Sequence, residues 1–422
     1  MEFNNRKNKI ADVVTLIMPL LLILSEVLQT PSPFYAALAI SILSLRHPFV
    51  IFPAYFVASL SSTYFSPVEG LGASRIFSLV LIVSLLFSKD SFKKTNGYKD
   101  IGILCVVLIV FNAFSSLISI SGSFFTFFVM LQNLLVLYFL QRQNNVDIER
   151  LSLMLFWSSV IVLLGILYEV SLSGIAVDTT ERYTVESTNE NNFAMMCAQL
   201  GTVMVSFMFI KKELIHRLVA LVLVLGCVIV IFLSGSRSSL LGLLCSAALL
   251  ALISFRGNTL RTIVLAIIFV VPIYLIYNYA VDAESYLLQR FTLQSVADTG
   301  GSGRMAIMKR IFGEIVPNYF FFGVGLGGIN IMAAGLPKPC HNIIIDPLSQ
   351  IGIIGIILYW RMIIPVISKT LKLISRNQIV FLPLALFFTA LFNGIGETIF
   401  YEKFFWNSIA LCALYSNVIN KQ

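Results

Sequence analysis

The feature that most constrains this chain is the succession of its apolar runs. A helix needs about 20 mostly apolar residues to cross a bilayer, and candidate segments follow one another at 11–27, 33–45, 49–65, 75–88, 101–119, 124–141, 151–172, 193–210, 217–234, 238–255, 262–280, 343–366, 378–395 and 404–418. The second and fourth are short, and a re-entrant pair would lower the count from 14 to 12. Only helices or closed barrels satisfy their backbone in lipid, so the fold class is all-α: a polytopic integral membrane protein forming a single transmembrane domain over residues 1–422. Composition agrees, with 58% hydrophobic and 12% charged residues, against about 25% charged in soluble domains. No short signal peptide with a small-residue cleavage site appears, so the first segment reads as a retained signal anchor.

Lysine and arginine set the orientation, because cytoplasmic loops collect them. With the N-terminus inside, 20 of the 29 basic residues fall on the cytoplasmic side, and both termini are cytoplasmic. Arg75, Arg182, Arg237, Arg290, Arg304, Lys309, Arg310, Lys338 and Lys403 fall on the outer side. The net charge of +8 therefore reflects side preference and gives no reason to expect a nucleic-acid partner. The outer side also receives a large loop, residues 281–342, and a smaller one, residues 173–192.

Five outer arginines, Arg182, Arg237, Arg290, Arg304 and Arg310, are candidates for binding an anion. A guanidinium holds its charge and grips phosphate with two parallel hydrogen bonds. Arg237 sits at the membrane surface within Ser234-Gly235-Ser236-Arg237-Ser238-Ser239, where either an anionic partner or snorkelling to lipid headgroups explains it. Gly300-Gly301-Ser302-Gly303-Arg304 precedes Met305 to Ile315, whose spacing predicts an amphipathic helix near the interface. Its first turn could cradle an anion, or the stretch could be a flexible loop.

The run Phe322-Gly323-Val324-Gly325-Leu326-Gly327-Gly328 follows no strand and opens no βαβ unit, so it is not a nucleotide loop. Its glycines suit a chain turning back toward the membrane. His341, beside Asn342, is the outer-side histidine of three in the chain, His47 and His216 being cytoplasmic. It could take a proton from a hydroxyl nucleophile, although a lone histidine is more often structural. Six cysteines lack paired spacing, against a disulfide framework or a zinc site. Asp282 with Glu284, and Asp178, Glu181, Glu186 and Glu190, could hold a divalent cation. No Asp-x-Asp pair exists, and the same acids suit a solvated loop.

Together these residues resemble the O-antigen ligase and O-antigen polymerase superfamily of bacterial envelopes. His341-Asn342 with Gly352 and Gly355 beyond looks like the family's signature, and Ser234 to Ser238 like its arginine-bearing turn. Ser302-Gly303-Arg304, a helix and the glycine run are similar to its large periplasmic loop. Arg182 to Ala194, ending Asn191-Asn192-Phe193-Ala194, looks like an earlier family segment but lacks the proline often found before the second asparagine. The resemblance spans about residues 175–400.

It implies a metal-independent glycosyltransferase without cofactor, in the bacterial inner membrane. The donor would be an undecaprenyl diphosphate-linked glycan, handled at the periplasmic face. Arg237 and Arg304 would grip the diphosphate and His341 would activate the acceptor hydroxyl. Arg182, Arg290, Arg310 and Asn342 are further substrate-binding candidates. The acceptor would be another glycan for a polymerase, the leading reading, or lipid A-core for a ligase, with membrane lipid, a flippase and a chain-length regulator as partners. A polysaccharide flippase or transporter is the third reading. It would show intramembrane charges along a central path and repeated halves, neither of which is evident.

Overall fold

The computed structural model describes residues 2–61, 64–65, 72–88, 99–118, 124–172, 189–210, 213–254, 304–327 and 341–421. Within them the chain is helical, with no strand. The helices are α1 (Glu2–Val27), α2 (Ser32–Leu43), α3 (Pro48–Ser59), α4 (Ala73–Leu86), α5 (Lys99–Ile118), α6 (Phe124–Leu140), α7 (Ile148–Leu172), α8 (Glu190–Ile210), α9 (Leu214–Leu233) and α10 (Arg237–Ser254). After residues outside the description come α11 (Arg304–Arg310), a π-helical turn (Ile311–Ile315) and α12 (Val316–Tyr319). The last three are α13 (Ile345–Lys372), α14 (Phe381–Asn393) and α15 (Lys403–Ile419).

Thirteen of the fourteen apolar segments coincide with helices, and the segment at 262–280 lies outside the described residues. Lengths divide them. Six helical stretches, Lys9–Val27, Ile148–Leu172, Glu190–Ile210, Leu214–Leu233, Arg237–Ser254 and Ile345–Lys372, are long and apolar enough to cross a membrane. The 12 residues of α3 rise only about 18 Å, short of a hydrocarbon core of about 30 Å. Every α3 residue but Phe49 and Val50 is buried, so this apolar run is a core helix walled by other helices. Prolines set these limits: Pro31 precedes α2, and Pro48 opens α3, where a missing amide proton costs nothing.

Three neighbourhoods make up the bundle. The helices α1, α2, α3 and α7 pack together, α4 and α15 both pack on α6, and α8, α10 and α14 form a third group joined to α15. Buried hydroxyls cross the last group: Thr202 and Thr389 share a hydrogen bond at 2.7 Å, and Thr389 donates to Ser246 at 2.6 Å. Hydroxyls that tie helices this way let small side chains pack closely where lipid offers no hydrophobic drive.

Segments that alternation of the spans assigns to one side do meet. At one end Asp12 of α1 accepts from Arg150 of α7 at 2.7 Å, and Ser88 donates to Gln143 at 2.8 Å. At the other end Lys403, only 5% exposed, donates to the Ser74 carbonyl, Ser78 Oγ and Gln132 Oε1 at 2.8 to 3.1 Å. Beside it Arg75 lies 3.9 Å over the Phe125 ring. Two of the basic residues assigned to the outer side are thus built into helix packing.

Candidate active site at the head of α13

The site begins with a broken helix. Gly352 in α13 has φ 66° and ψ −175°, which splits the helix into Ile345 to Ile351 and a longer second part. That combination is essentially confined to glycine. The break frees backbone groups, and the glycine run satisfies them. Val324 N donates to the Ser349 carbonyl (2.8 Å), Gly325 N to that of Gln350 (2.9 Å), and Ile353 N to that of Phe320 (2.8 Å). The Gln350 side chain accepts from Gly327 N at 2.8 Å. The two backbones lie so close that a Cβ on Gly323 would overlap the Gln350 carbonyl, and one on Gly352 would overlap that of Phe321. The expected turn-back of the glycine run is therefore a clasp around the α13 break, which fixes the run relative to His341-Asn342.

The amphipathic stretch has the expected helical form from Arg304 onward. Ile307, Ile311 and Ile315 share a buried cluster with Val324, against Ile345 of α13, while Met305, Lys309 and Phe312 face outward. A buried series spaced by four follows one helical face, and the π turn at Ile311–Ile315 lies inside it. This anchoring carries Arg304 to the head of α13.

There three segments meet on one carboxylate. Arg304 Nη2 donates to Glu397 Oε1 at 2.7 Å. His341 Nδ1 lies 3.1 Å from Glu397 Oε2, at hydrogen-bond distance but without hydrogen-bond alignment. The Glu397 side chain is 4% exposed, whereas those of Arg304 and His341 are 26% and 24% exposed. The acid thus forms the floor, and the two nitrogen-bearing groups face the accessible side. A buried carboxylate is tolerated when cationic or proton-donating partners surround it.

The supporting contacts hold each partner in place. His341 has φ 55°, a left-handed conformation sparsely populated outside glycine. Asn342 Oδ1 accepts from the amides of Ile344 and Ile345 at 2.9 and 3.1 Å, capping the first part of α13. Ile343 N donates to the Gly394 carbonyl at 2.7 Å, and buried Asp346 accepts from Thr398 Oγ1 at 2.7 Å. These bonds join the His341 turn to the loop between α14 and α15 that carries Glu397.

The candidates divide as follows. Arg304 and His341 share the site. Arg237 opens α10 one residue from Ser238, and Ser238 and Arg304 Nη1 each lie 3.2 Å from where a Cβ on Gly396 would sit, so the Arg237 turn adjoins the site. Arg310 instead pairs with Glu314 one turn along, at 3.1 Å. Asn342 is engaged as a helix cap. Arg182, Arg290, both proposed acidic clusters apart from Glu190, and Cys340 lie outside the described residues. Glu190 is the first residue of α8. Among the described residues no three His, Cys, Asp or Glu side chains gather as metal ligands.

Sequence reasoning missed Glu397, Asp346 and Thr398. The available signal was an acid in a short turn between two apolar segments, Gly394-Ile395-Gly396-Glu397, where an acid needs a partner.

Residues 220–360 match the family model described as O-antigen ligase. The matched stretch contains Arg237, Arg304, His341 and Gly352, and Glu397 lies beyond it. No curated protein matches the chain significantly. Through its central stretch, which carries Arg304 and His341, the chain is similar to the O-antigen ligase family.

Proposed function

We propose that the chain is a metal-independent glycosyltransferase acting at the periplasmic face of the bacterial inner membrane, with both termini in the cytoplasm. It moves a glycan from undecaprenyl diphosphate to a sugar hydroxyl, and extension of a polysaccharide by repeat units is the leading reading. The observation that carries it is Glu397, one of whose carboxylate oxygens lies against Arg304 and the other against His341.

In this reading the acceptor hydroxyl gives its proton to His341 Nε2 as its oxygen attacks the anomeric carbon. The bond from that carbon to the diphosphate oxygen breaks, and the electron pair leaves with the diphosphate. Glu397 faces Nδ1, so the Nδ1–H tautomer is favoured and Nε2 keeps its lone pair for the acceptor. The same carboxylate then stabilises the imidazolium. Arg304, fixed by its bond to Glu397, and Arg237 on the adjoining turn meet the growing charge on the leaving group with preset donors.

A ligase reading keeps this chemistry and changes the acceptor to lipid A-core; the family model, described as O-antigen ligase, is compatible with either acceptor. The glycan profile of a deletion strain separates the two. Single repeat units capped onto the lipid core mark a lost polymerase, whereas long polymers left on the carrier lipid mark a lost ligase. An unchanged profile would end both.

A further inference from the structure

Lys403 is the first residue of α15, and two costs weigh against an ammonium there. It is buried, which is rare for lysine without an ion-pair partner, and its three hydrogen bonds all go to neutral oxygens. These are the Ser74 carbonyl and Ser78 Oγ of α4, at 2.8 and 3.1 Å, and Gln132 Oε1 of α6, at 3.1 Å. The N-terminus of a helix also carries partial positive charge, which repels a cation. An apolar side chain of similar length would avoid both costs, so stability alone does not account for the lysine. What it adds is direction: three bonds that fix the start of α15 against two helices at once.

That start is also the end of the loop that carries Glu397. Residues 394–402 join α14 to α15, and the loop is tied at both ends. On the near side the Gly394 carbonyl accepts from Ile343 N, and Thr398 Oγ1 donates to Asp346, both at 2.7 Å. On the far side Asn133 of α6 donates through Nδ2 to the Tyr401 carbonyl at 3.0 Å. Trp406 Nε1, one turn into α15, donates to the Phe400 carbonyl at 2.7 Å. Between the ties Ile399 is fully buried and lies against Gly394, where a Cβ would come within 2.7 Å of its Cδ1. Glu397 therefore sits in a folded loop held between two supports, the His341 turn on one side and α4 with α6 on the other. Its two oxygens have separate partners, Arg304 and His341, and a displacement of about 1 Å at such a site can cost about 10²-fold in rate.

We infer that Lys403 is a positioning residue for Glu397, assisted by Asn133. Together they hold the far side of the loop, so that the acid meets the guanidinium and the imidazole at once. The inference rests on the reaction given under Proposed function. It brings the N-terminal helices into the geometry of a site whose arginine, histidine and acid all come from residues 304–397, since Asn133 lies 268 positions before Tyr401.

The test is a double-mutant cycle on the full chain in nanodiscs, with the lipid-linked glycan extracted from a deletion strain as donor. Lys403→Met keeps a side chain of similar length and removes its hydrogen bonds. It is expected to lower kcat about tenfold with donor KM within about twofold. In the Glu397→Gln background, where no carboxylate is left to position, the same change is expected to lower kcat by less than about twofold, a coupling that independent sites do not show. A further loss of about tenfold in that background, or native kcat in Lys403→Met, overturns the inference and leaves the reaction standing. So does a loss confined to Tm, which makes Lys403 a packing residue. Asn133→Leu, which removes the bond to the Tyr401 carbonyl, runs the same cycle with the same reading and covers a Lys403→Met chain that fails to accumulate. Full activity in His341→Ala instead removes the reaction on which the inference depends.

Discussion

Glu397 governs the behaviour expected of single residues. Its carboxylate faces a guanidinium and an imidazole at once, so Glu397→Gln keeps the volume and removes the charge that orients His341. The expected loss in kcat is about 10²- to 10⁴-fold, with donor KM little changed and Glu397→Asp recovering part of the rate. Equal losses in Gln and Asp variants with a lowered Tm would make the residue a packing element. His341→Ala is expected to slow transfer at least about 100-fold, and a loss under tenfold at normal protein level returns the histidine to structure. Arg304→Ala and Arg237→Ala should each cost about 1.5 to 3 kcal/mol in diphosphate recognition. Lysine should rescue only in part, because an ammonium cannot reproduce the planar fork. Donor binding that survives in the double alanine variant would remove both arginines from the site. A different residue reports through pH. Burial pushes the Glu402 carboxyl up to about 7 from its ordinary 4.5, while the Lys403 ammonium pulls the other way. A carboxyl raised in the fold stabilises it fully below pH 4.5 and loses that contribution as pH rises toward 7. Thermal stability is therefore expected to fall across that window, and Glu402→Gln to flatten the fall; parallel curves for the two proteins would contradict this.

Among the elements, the decisive one is α13, which works because it is broken. An unbroken helix through position 352 would displace the turn holding His341 and Asn342, and it would leave Val324 and Gly325 without their partners. Gly352→Ala places a Cβ against the Phe321 carbonyl and forces alanine into a glycine-only conformation, at a cost of about 1 to 3 kcal/mol before the overlap is counted. A lower Tm together with lost activity is expected, and a Tm equal to that of the native chain would show that the clasp gives way freely. The clasp also explains two sequence features with one cause. Gly323 and Gly352 lie on segments far apart in the chain, yet each is glycine because the other's backbone occupies the space where a side chain would go. The short helices follow a simpler rule: α3 ends too soon to cross alone and is instead packed on nearly every side.

The whole molecule divides its ends as the basic residues suggest. The Asp12, Arg46 and Arg150 region borders a cavity of about 810 Å³ at one end, and Arg304, His341 and Glu397 occupy the other. In cells, with Cys340 replaced by alanine, a membrane-impermeant maleimide is expected to label Lys309→Cys and to leave Arg46→Cys unlabelled until the membrane is opened. The reverse pattern would turn the protein over and move the site to the cytoplasm. The sequence by itself was enough for the helical membrane architecture, the order of the apolar segments and the resemblance to a family. Those rest on runs of apolar residues, on side preference of basic charge and on short motifs, all local properties. It also marked Arg304 and His341, because each breaks a local rule. Glu397 broke a weaker one, an acid in a short turn among ordinary polar neighbours, and its partners are 56 and 93 positions away along the chain. Only the tertiary structure brought α11, α13 and the loop after α14 to one point, since burial that turns an ordinary acid into a shared floor arises from packing between distant segments and leaves no periodicity to read.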